Sequence, residues 1–351
     1  MPATRLRSTY FWRFDQNHEE QITMGIASGT GVPVTARRAS TGAARASSVE
    51  LPARIVSSRV NLRTRLQDLW RARELFVFLV RKDLKVKYKN SVLGFLWSMV
   101  NPAVVLGVYY TVFRYILKSN IPDFALYLFA GLIVWNLFSV ALSSATGIIV
   151  QSAGIVKKVA FPREILPLAQ VGTATVFFFF QAIVLVGFLL GFQYSPSWSY
   201  LPILLWALVD LIVLTSALAV FLSAVNVYFR DIQHLIGVVL QAWFWVVPII
   251  YSYNLVFDLF KRHHITFWTG VYLADPITPI ILAFQRALYR KVSVNIKVPP
   301  STHYQPYLVL ANYPEHFFVE MLAILLGAAI VAFLGAMLVF ARIEGNFAQE
   351  L

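Results

Sequence analysis

Few side chains in this 351-residue chain have the type and spacing to do chemistry. The clearest is Asp210, a single carboxylate inside the apolar run "LLWALVDLIVLTSA". An ionisable group in such a run is costly to bury and serves either helix pairing or a proton relay. One carboxylate is thin support for a proton-driven pump, so helix pairing is the better reading. His263 and His264 are adjacent; neighbours do not face each other on a helix, and no third ligand lies at metal spacing. The chain has no Gly-Lys dipeptide, hence no phosphate-cradling P-loop, and neither a GxSxG elbow nor an HExxH pair. It therefore does not hydrolyse ATP by that route. What stands out instead is charge. Lys157, Lys158, Arg163 and Glu164, with Pro162 among them, interrupt two long apolar runs in "IVKKVAFPREILPLAQ".

The elements around that cluster are those of a membrane protein. Hydrophobic residues make up 58% of the chain and charged ones 13%, about half the charge of an ordinary soluble domain. There are no cysteines, which excludes disulfides and thiolate metal sites. The net charge of +13 raises the question of nucleic acid, but its placement answers otherwise. Residues 1–60 are rich in Ala, Ser, Thr, Gly and Arg and read as a disordered cytosolic tail. Residues 61–90 set Leu62, Leu66, Leu69, Phe76, Val80 and Leu84 near helical spacing against Arg63, Arg65, Arg71, Arg81 and Lys85. That is a basic amphipathic helix suited to a membrane surface.

A six-helix transmembrane domain over 91–345 follows, then a cytosolic C-terminus, 346–351. The expected spans are 92–117, 124–149, 165–192, 200–225, 235–251 and 317–341. With the N-terminus inside, the inner connections hold Arg81, Lys82, Lys85, Lys87 and Lys89, then Lys157, Lys158 and Arg163, then Arg230 and Arg342; the first two outer loops hold only Lys118. The positive-inside rule then puts both termini in the cytosol. Between the last two spans, the apolar stretch 269–292 is broken by Pro276 and Pro279. It is too short and interrupted to span and reads as an outer re-entrant helix pair. The fold class is an all-α integral membrane protein. The dense aromatic clusters pack helices and form interfacial belts; aromatic faces also suit sugar rings, so part of them could line a glycan path.

Five stretches, in order, resemble the membrane permease of type-2 ABC exporters: "RELFVFLVRKDLKVKYKNSVLGFLWSMVNP", "IVKKVAFPREILPLA", "VNVYFRDIQHLIGVVLQAWFWVVPIIYS", "DPITPIILAFQRALY" and "ARIEGNFAQEL". The polysaccharide and teichoic-acid export branch is the nearest in appearance. The resemblance covers about residues 70–351 and implies a homodimer in the cytoplasmic membrane, paired with two copies of a separate ATPase that holds the ATP and Mg. It implies no cofactor in this chain and a cargo of polyprenyl-diphosphate-linked glycan, moved to the outer leaflet. It further implies a coupling helix at 147–156, carrying Gly147, Gln151, Ser152 and Gly154 and flanked by Lys157, Lys158 and Arg163. Arg230 and Asp231 make a second contact, and the outer gate helices carry Pro276, Pro279, Phe284 and Arg286. Tyr109 and Tyr110 on the first span and Trp243 and Trp245 on the fifth become candidates for the glycan path. Two alternatives stay open: export of a lipid, drug or small hydrophobic molecule, and a membrane-embedded glycosyltransferase using Asp258, Asp275, Glu315 or Arg286.

Overall fold

A computed structural model describes residues 62–89, 91, 96–117, 123–264, 267–290, 293–297 and 304–351. The 1–60 tail, the first residues of the first expected span and Lys118 lie outside them. Two helices come first, α1 (Leu62–Arg71) and α2 (Arg73–Lys87), meeting at Ala72 where one continuous helix was expected. Then follow α3 (Trp97–Thr111), α4 (Phe124–Gln151), the one-turn α5 (Ala153–Val156), α6 (Ile165–Gly191), α7 (Leu201–Tyr228) and α8 (Ile232–Val246). The short helices α9 (Tyr253–Arg262), α10 (Phe267–Ala274) and α11 (Ile277–Tyr289) precede a hairpin of β1 (Ser293–Lys297) and β2 (Tyr304–Leu308). The chain closes with α12 (Glu315–Ile343) and the one-turn α13 (Phe347–Glu350).

Four helices, α4, α6, α7 with its 3₁₀ lead-in, and α12, are long and apolar enough to cross a membrane. They correspond to the second, third, fourth and sixth expected spans. The fifth is shorter than 235–251: α8 has 15 residues, about 22 Å at about 1.5 Å per residue, against about 30 Å of hydrocarbon. Its end has a local cause. Val247 is extended (ψ 148°) ahead of Pro248, as the residue before proline prefers. The first expected span is α3 with Pro102 inside it, continued by one π-helical turn, Val112–Ile116. The π turn leaves the 3.6-residue period, as such insertions do.

α4 is apolar over most of its surface and buried along most of its length, because α6, α7, α11, α3 and α8 all pack on it. α12 lies along α7, where Ser216, Ala217, Ala219 and Ala224 are buried with Ala329 and Ala336; small residues let helix backbones approach closely. The hairpin is the one departure from an all-helical fold among the described residues. Ser293 pairs with Leu308 and Lys297 with Tyr304, antiparallel. Its first strand, "SVNIK", alternates polar and apolar residues with the period of a strand.

α10 and α11 meet at an angle of 82°. The carboxylate of Asp275, at the break, accepts from Thr278 N (2.9 Å) and Thr278 Oγ1 (2.7 Å), and from Trp243 Nε1 on α8 (2.8 Å). The flanks of this pair return to one place. The Tyr127 hydroxyl, near the start of α4, donates to the carbonyl of Tyr251 (2.9 Å), ahead of α9. Its ring lies edge-on to that of Tyr289, the last residue of α11, at 5.7 Å.

Candidate functional site

One end of the bundle carries the basic cluster. There α2 lies across α6, and the fit depends on Gly172: a Cβ would come 2.6 Å from Phe76 Cζ and 3.0 Å from Val80 Cγ2. Asp83 on α2 accepts from Gln170 Nε2 on α6 at 2.7 Å. Arg65 on α1 is held between two carboxylates, donating to Glu164 at the start of α6 and to Glu344 just past α12. Glu164 is 1% exposed. Burial pushes its carboxyl above the usual range despite the guanidinium beside it, while the hydrogen bond to Glu344 helps hold the Arg65 guanidinium above its own already high value. This triad was not foreseen, since its members lie 99 and 279 positions from Arg65 in the chain.

The expected coupling residues are distributed over three places. Gly147 is buried in the last turn of α4 rather than on a turn, where a Cβ would meet Gln151 Nε2 at 2.8 Å and Gln233 Oε1 of α8 at 3.1 Å. Its missing side chain thus admits the tip of α8 to the end of α4. The helix breaks at Ser152 and resumes as α5, with Gly154, Lys157 and Lys158 exposed. Arg163 and Arg230 turn to the C-terminal segment: Arg163 Nη1 donates to Glu344 O (2.8 Å) and lies over the Phe347 ring, and Arg230 Nη2 donates to Glu350 O (3.2 Å). Asp231 stands exposed ahead of α8, whose first turn is capped instead by Asn226 Oδ1 accepting from Gln233 N (3.1 Å).

Of the expected gate residues, Pro276 and Pro279 sit at the start of α11, where a missing amide hydrogen costs nothing. Phe284 is buried edge-on to Phe178 of α6 at 5.9 Å. Arg286 lies 4.7 Å over the Tyr200 ring and donates to Arg290 O (3.0 Å).

The four aromatic residues split within each pair. Tyr110 packs on Phe188 of α6 and on Phe192 just past its end, while Tyr109 falls at the four-residue spacing of Asn101 and Val105, which line a cavity lower on α3. Trp243 is tied to Asp275 and lies edge-on to Phe138, whereas Trp245 is 63% exposed. Asp210 is 0% exposed, and among the described residues neither of its oxygens has a partner in good hydrogen-bond geometry.

Two open cavities meet on the exposed face of α4. One, of about 510 Å³, runs between α4 and α8, with Asn136, Ser139, Ser143 and Ser144 on one side and Gln241 on the other. The second, of about 420 Å³, lies between the end of α2, α3, α4 and α6. Leu132, Asn136 and Val140 line both, so they form one trough. Asn136 Nδ2 donates to Gln181 Oε1 of α6 at 2.9 Å. These amides and hydroxyls interrupt an otherwise apolar helix and stand within a mostly apolar lining. This stripe was missed from the sequence, although Asn136, Ser139 and Ser143 recur at helical spacing in "NLFSVALS".

Comparison with known proteins agrees with this architecture. The family described as "ABC-2 type transporter" matches residues 74–289. An "O-antigen export system permease protein RfbA" of Myxococcus xanthus is 32% identical over 229 residues, 64% of this chain and 84% of that protein. One of the same name from Klebsiella pneumoniae is 29% identical over 212 residues, 60% of this chain and 79% of its own. The "Polysialic acid transport protein KpsM" of Escherichia coli is 23% identical over 183 residues, covering 51% and 70%. The match takes in nearly all of α2 and runs through α11, with the trough inside it, while Arg65 and the C-terminal segment of the basic end lie outside it. The chain is a membrane-embedded transporter subunit and belongs to the ABC-2 type transporter family.

Proposed function

We propose that this chain is the permease subunit of an ATP-driven exporter that carries a lipid-linked polysaccharide from the cytosolic to the outer leaflet of the cytoplasmic membrane. The observation that carries the reading is the trough on α4. A hydrated polymer needs hydroxyl and amide partners along its route, and Asn136, Ser139, Ser143, Ser144 and Gln241 supply them beside the aromatic faces of Trp135 and Phe244. These groups stand in a lining that is otherwise mostly apolar, so the trough suits a cargo with both a sugar and a lipid part. The relatives' names, O-antigen export and polysialic acid transport, support the same class. The glycosyltransferase alternative is weakened by Asp275, whose oxygens are already taken by Trp243 and Thr278.

On this reading the basic end faces the cytosol, both termini with it, and α1 and α2 lie at the inner membrane surface. Two copies pair with two ATPase subunits, which dock on α5 with Lys157 and Lys158 beside it and on the α7–α8 turn at Arg230 and Asp231. α3 with its π turn serves as the first of six passes, and α8, too short to cross alone, makes the fifth together with the chain that follows it to about Tyr251. The α10–α11 pair dips in from the outer side and returns, a reading supported by Tyr127, which touches the chain both before α9 and at the end of α11. Co-purification tests this directly. The chain alone should show no ATP hydrolysis, and co-expression with its ATPase should yield a complex that hydrolyses ATP. Hydrolysis by the chain alone, or no complex, counts against the division of labour.

A further inference from the structure

Past α12 the chain stays against the bundle. It makes one 3₁₀ turn, Glu344–Asn346, and then α13, and successive steps are tied to different elements. The Tyr228 hydroxyl, at the end of α7, donates to Ile343 O (2.8 Å). Arg163, just ahead of α6, donates to Glu344 O (2.8 Å), and Arg65 of α1 donates to the Glu344 carboxylate. Arg230, on the α7–α8 turn, donates to Glu350 O (3.2 Å). Helix ends leave carbonyls for outside donors, and Tyr228 and Arg163 supply two at the end of α12. A cation there also meets the negative end of the helix dipole.

Phe347 anchors the segment. It is 0% exposed, edge-on to Phe340 at 5.4 Å and 6.2 Å from the Tyr228 ring, with the Arg163 guanidinium 5.9 Å from its centroid. It belongs to the apolar cluster that also buries Val156, the last residue of α5, Ile165 and Leu166 at the start of α6, and Val227 near the end of α7. One short segment therefore reaches the chain on both sides of the basic end: the loop after α5 through Arg163, and the α7–α8 turn through Arg230. Between Glu344 and Glu350 it is folded into a 3₁₀ turn and a helical turn, so the link has no slack. Most of the acceptors are backbone carbonyls. The path of the segment thus matters more than its side chains, save at Phe347 and Glu344.

We propose that residues 344–351 form a strap between the two ATPase-docking places, so that motion of the ATPase moves α5 and the α7–α8 turn as one body. This rests on the docking places proposed above. Phe347 is a positioning residue: it touches neither cargo nor nucleotide and acts by holding Arg163 and the ends of α7 and α12 together. Coupling between separate places travels through contiguous packed and hydrogen-bonded groups, and the strap supplies such a path. Without it, a push on α5 is taken up by bending of the loop between α5 and α6, and the α7–α8 turn does not follow.

The test uses the full chain with its ATPase, scored for complex yield, ATP hydrolysis, unfolding temperature and surface polysaccharide. Two glycines are inserted between Gly345 and Asn346, which are both exposed. The insertion slackens the strap and removes none of its contacts. Complex yield and unfolding temperature should stay at the parent values. ATP hydrolysis should stay within about twofold while surface polysaccharide falls about tenfold, the order of a lost coupling path. Phe347→Ala should shift the ratio of export to hydrolysis the same way, and Phe347→Leu, which keeps an apolar anchor, should retain most of the export. Should Phe347→Ala fail to fold, the insertion carries the test. The proposal is overturned if the insertion variant exports as the parent does. It is also overturned if export falls only in proportion to complex yield or ATP hydrolysis, which makes the segment part of the fold or of the docking surface. Failure of the docking places reads differently: a complex formed at parent yield by Lys157→Glu with Lys158→Glu removes them and the strap with them, whereas parent export by the insertion variant with docking intact removes the strap alone.

Discussion

Arg65→Ala is the most informative single change at the basic end. It removes the cation shared by Glu164, with its side chain 2% exposed, and Glu344, with 24%. The contact to Glu344, about three-quarters buried, contributes about 1 kcal/mol, toward the upper end of what exposed pairs give. The contact to buried Glu164 dominates, and loss of a charge-assisted hydrogen bond to a buried group costs about 1.5–3 kcal/mol. The cost has a sign in pH. Burial already raises the Glu164 carboxyl above its ordinary value of 4.5, so the folded state binds its proton more tightly than the unfolded chain does. Stability from this group is therefore complete below the ordinary carboxylate value and falls as pH rises through the raised one. Removing Arg65 takes away the neighbour that opposes the shift, so the raised value climbs further. The destabilisation by Arg65→Ala should accordingly be larger at pH 8 than at pH 5, where Glu164 is closer to neutral. Thermal unfolding of the detergent-solubilised protein, followed by tryptophan fluorescence at the two pH values, measures it. Adding Glu164→Gln should recover part of the loss. Equal destabilisation at both pH values, together with additive single and double variants, would refute the reasoning.

Other perturbations separate the remaining roles. Gly172→Val should push Phe76 and Val80 off α6 and cost about 1–3 kcal/mol, read as a lower unfolding temperature. Trp243→Ala should destabilise the protein by about 3–5 kcal/mol, because the indole braces Asp275 and Phe138. Trp245→Ala and Tyr109→Ala should instead lower export while leaving ATPase activity and yield unchanged; wild-type surface glycan in both would move the path elsewhere. Asp258→Cys, on exposed α9, should react with an impermeant thiol reagent in intact cells and Ser152→Cys should not, and the reverse pattern inverts the topology. Lys157→Glu with Lys158→Glu should weaken the ATPase complex, checked by co-purification.

The long spans were legible because an apolar run of that length has few other solutions. α4, α6, α7 and α12 begin and end within a few residues of the runs that announced them. The short ones were not, because periodicity alone does not mark where a helix stops. Val247 ahead of Pro248 ends α8 before its apolar run is over, and Pro102 with the following π turn interrupts α3. The family resemblance pointed to 147–156 as a coupling segment, but only the fold shows that Gly147 is a contact with α8 and that Arg163 and Arg230 bind the C-terminal segment. Arg65, Glu164 and Glu344 lie far apart in the chain and read separately as surface charges. The aromatic residues drew attention by their abundance, while Asn136, Ser139 and Ser143 were hidden among the leucines of α4. Their common face is exposed because α3 and α8 leave a gap, and no local pattern encodes that gap.

Surface polysaccharide tests the central claim most directly. Cells lacking this chain are compared with cells given the chain alone, the partner ATPase alone, or both, using a membrane-impermeant label for the polymer. The account predicts polymer retained inside the cell without the chain, and surface polymer restored only when chain and ATPase are present together. Unchanged surface polymer in cells without the chain would contradict it.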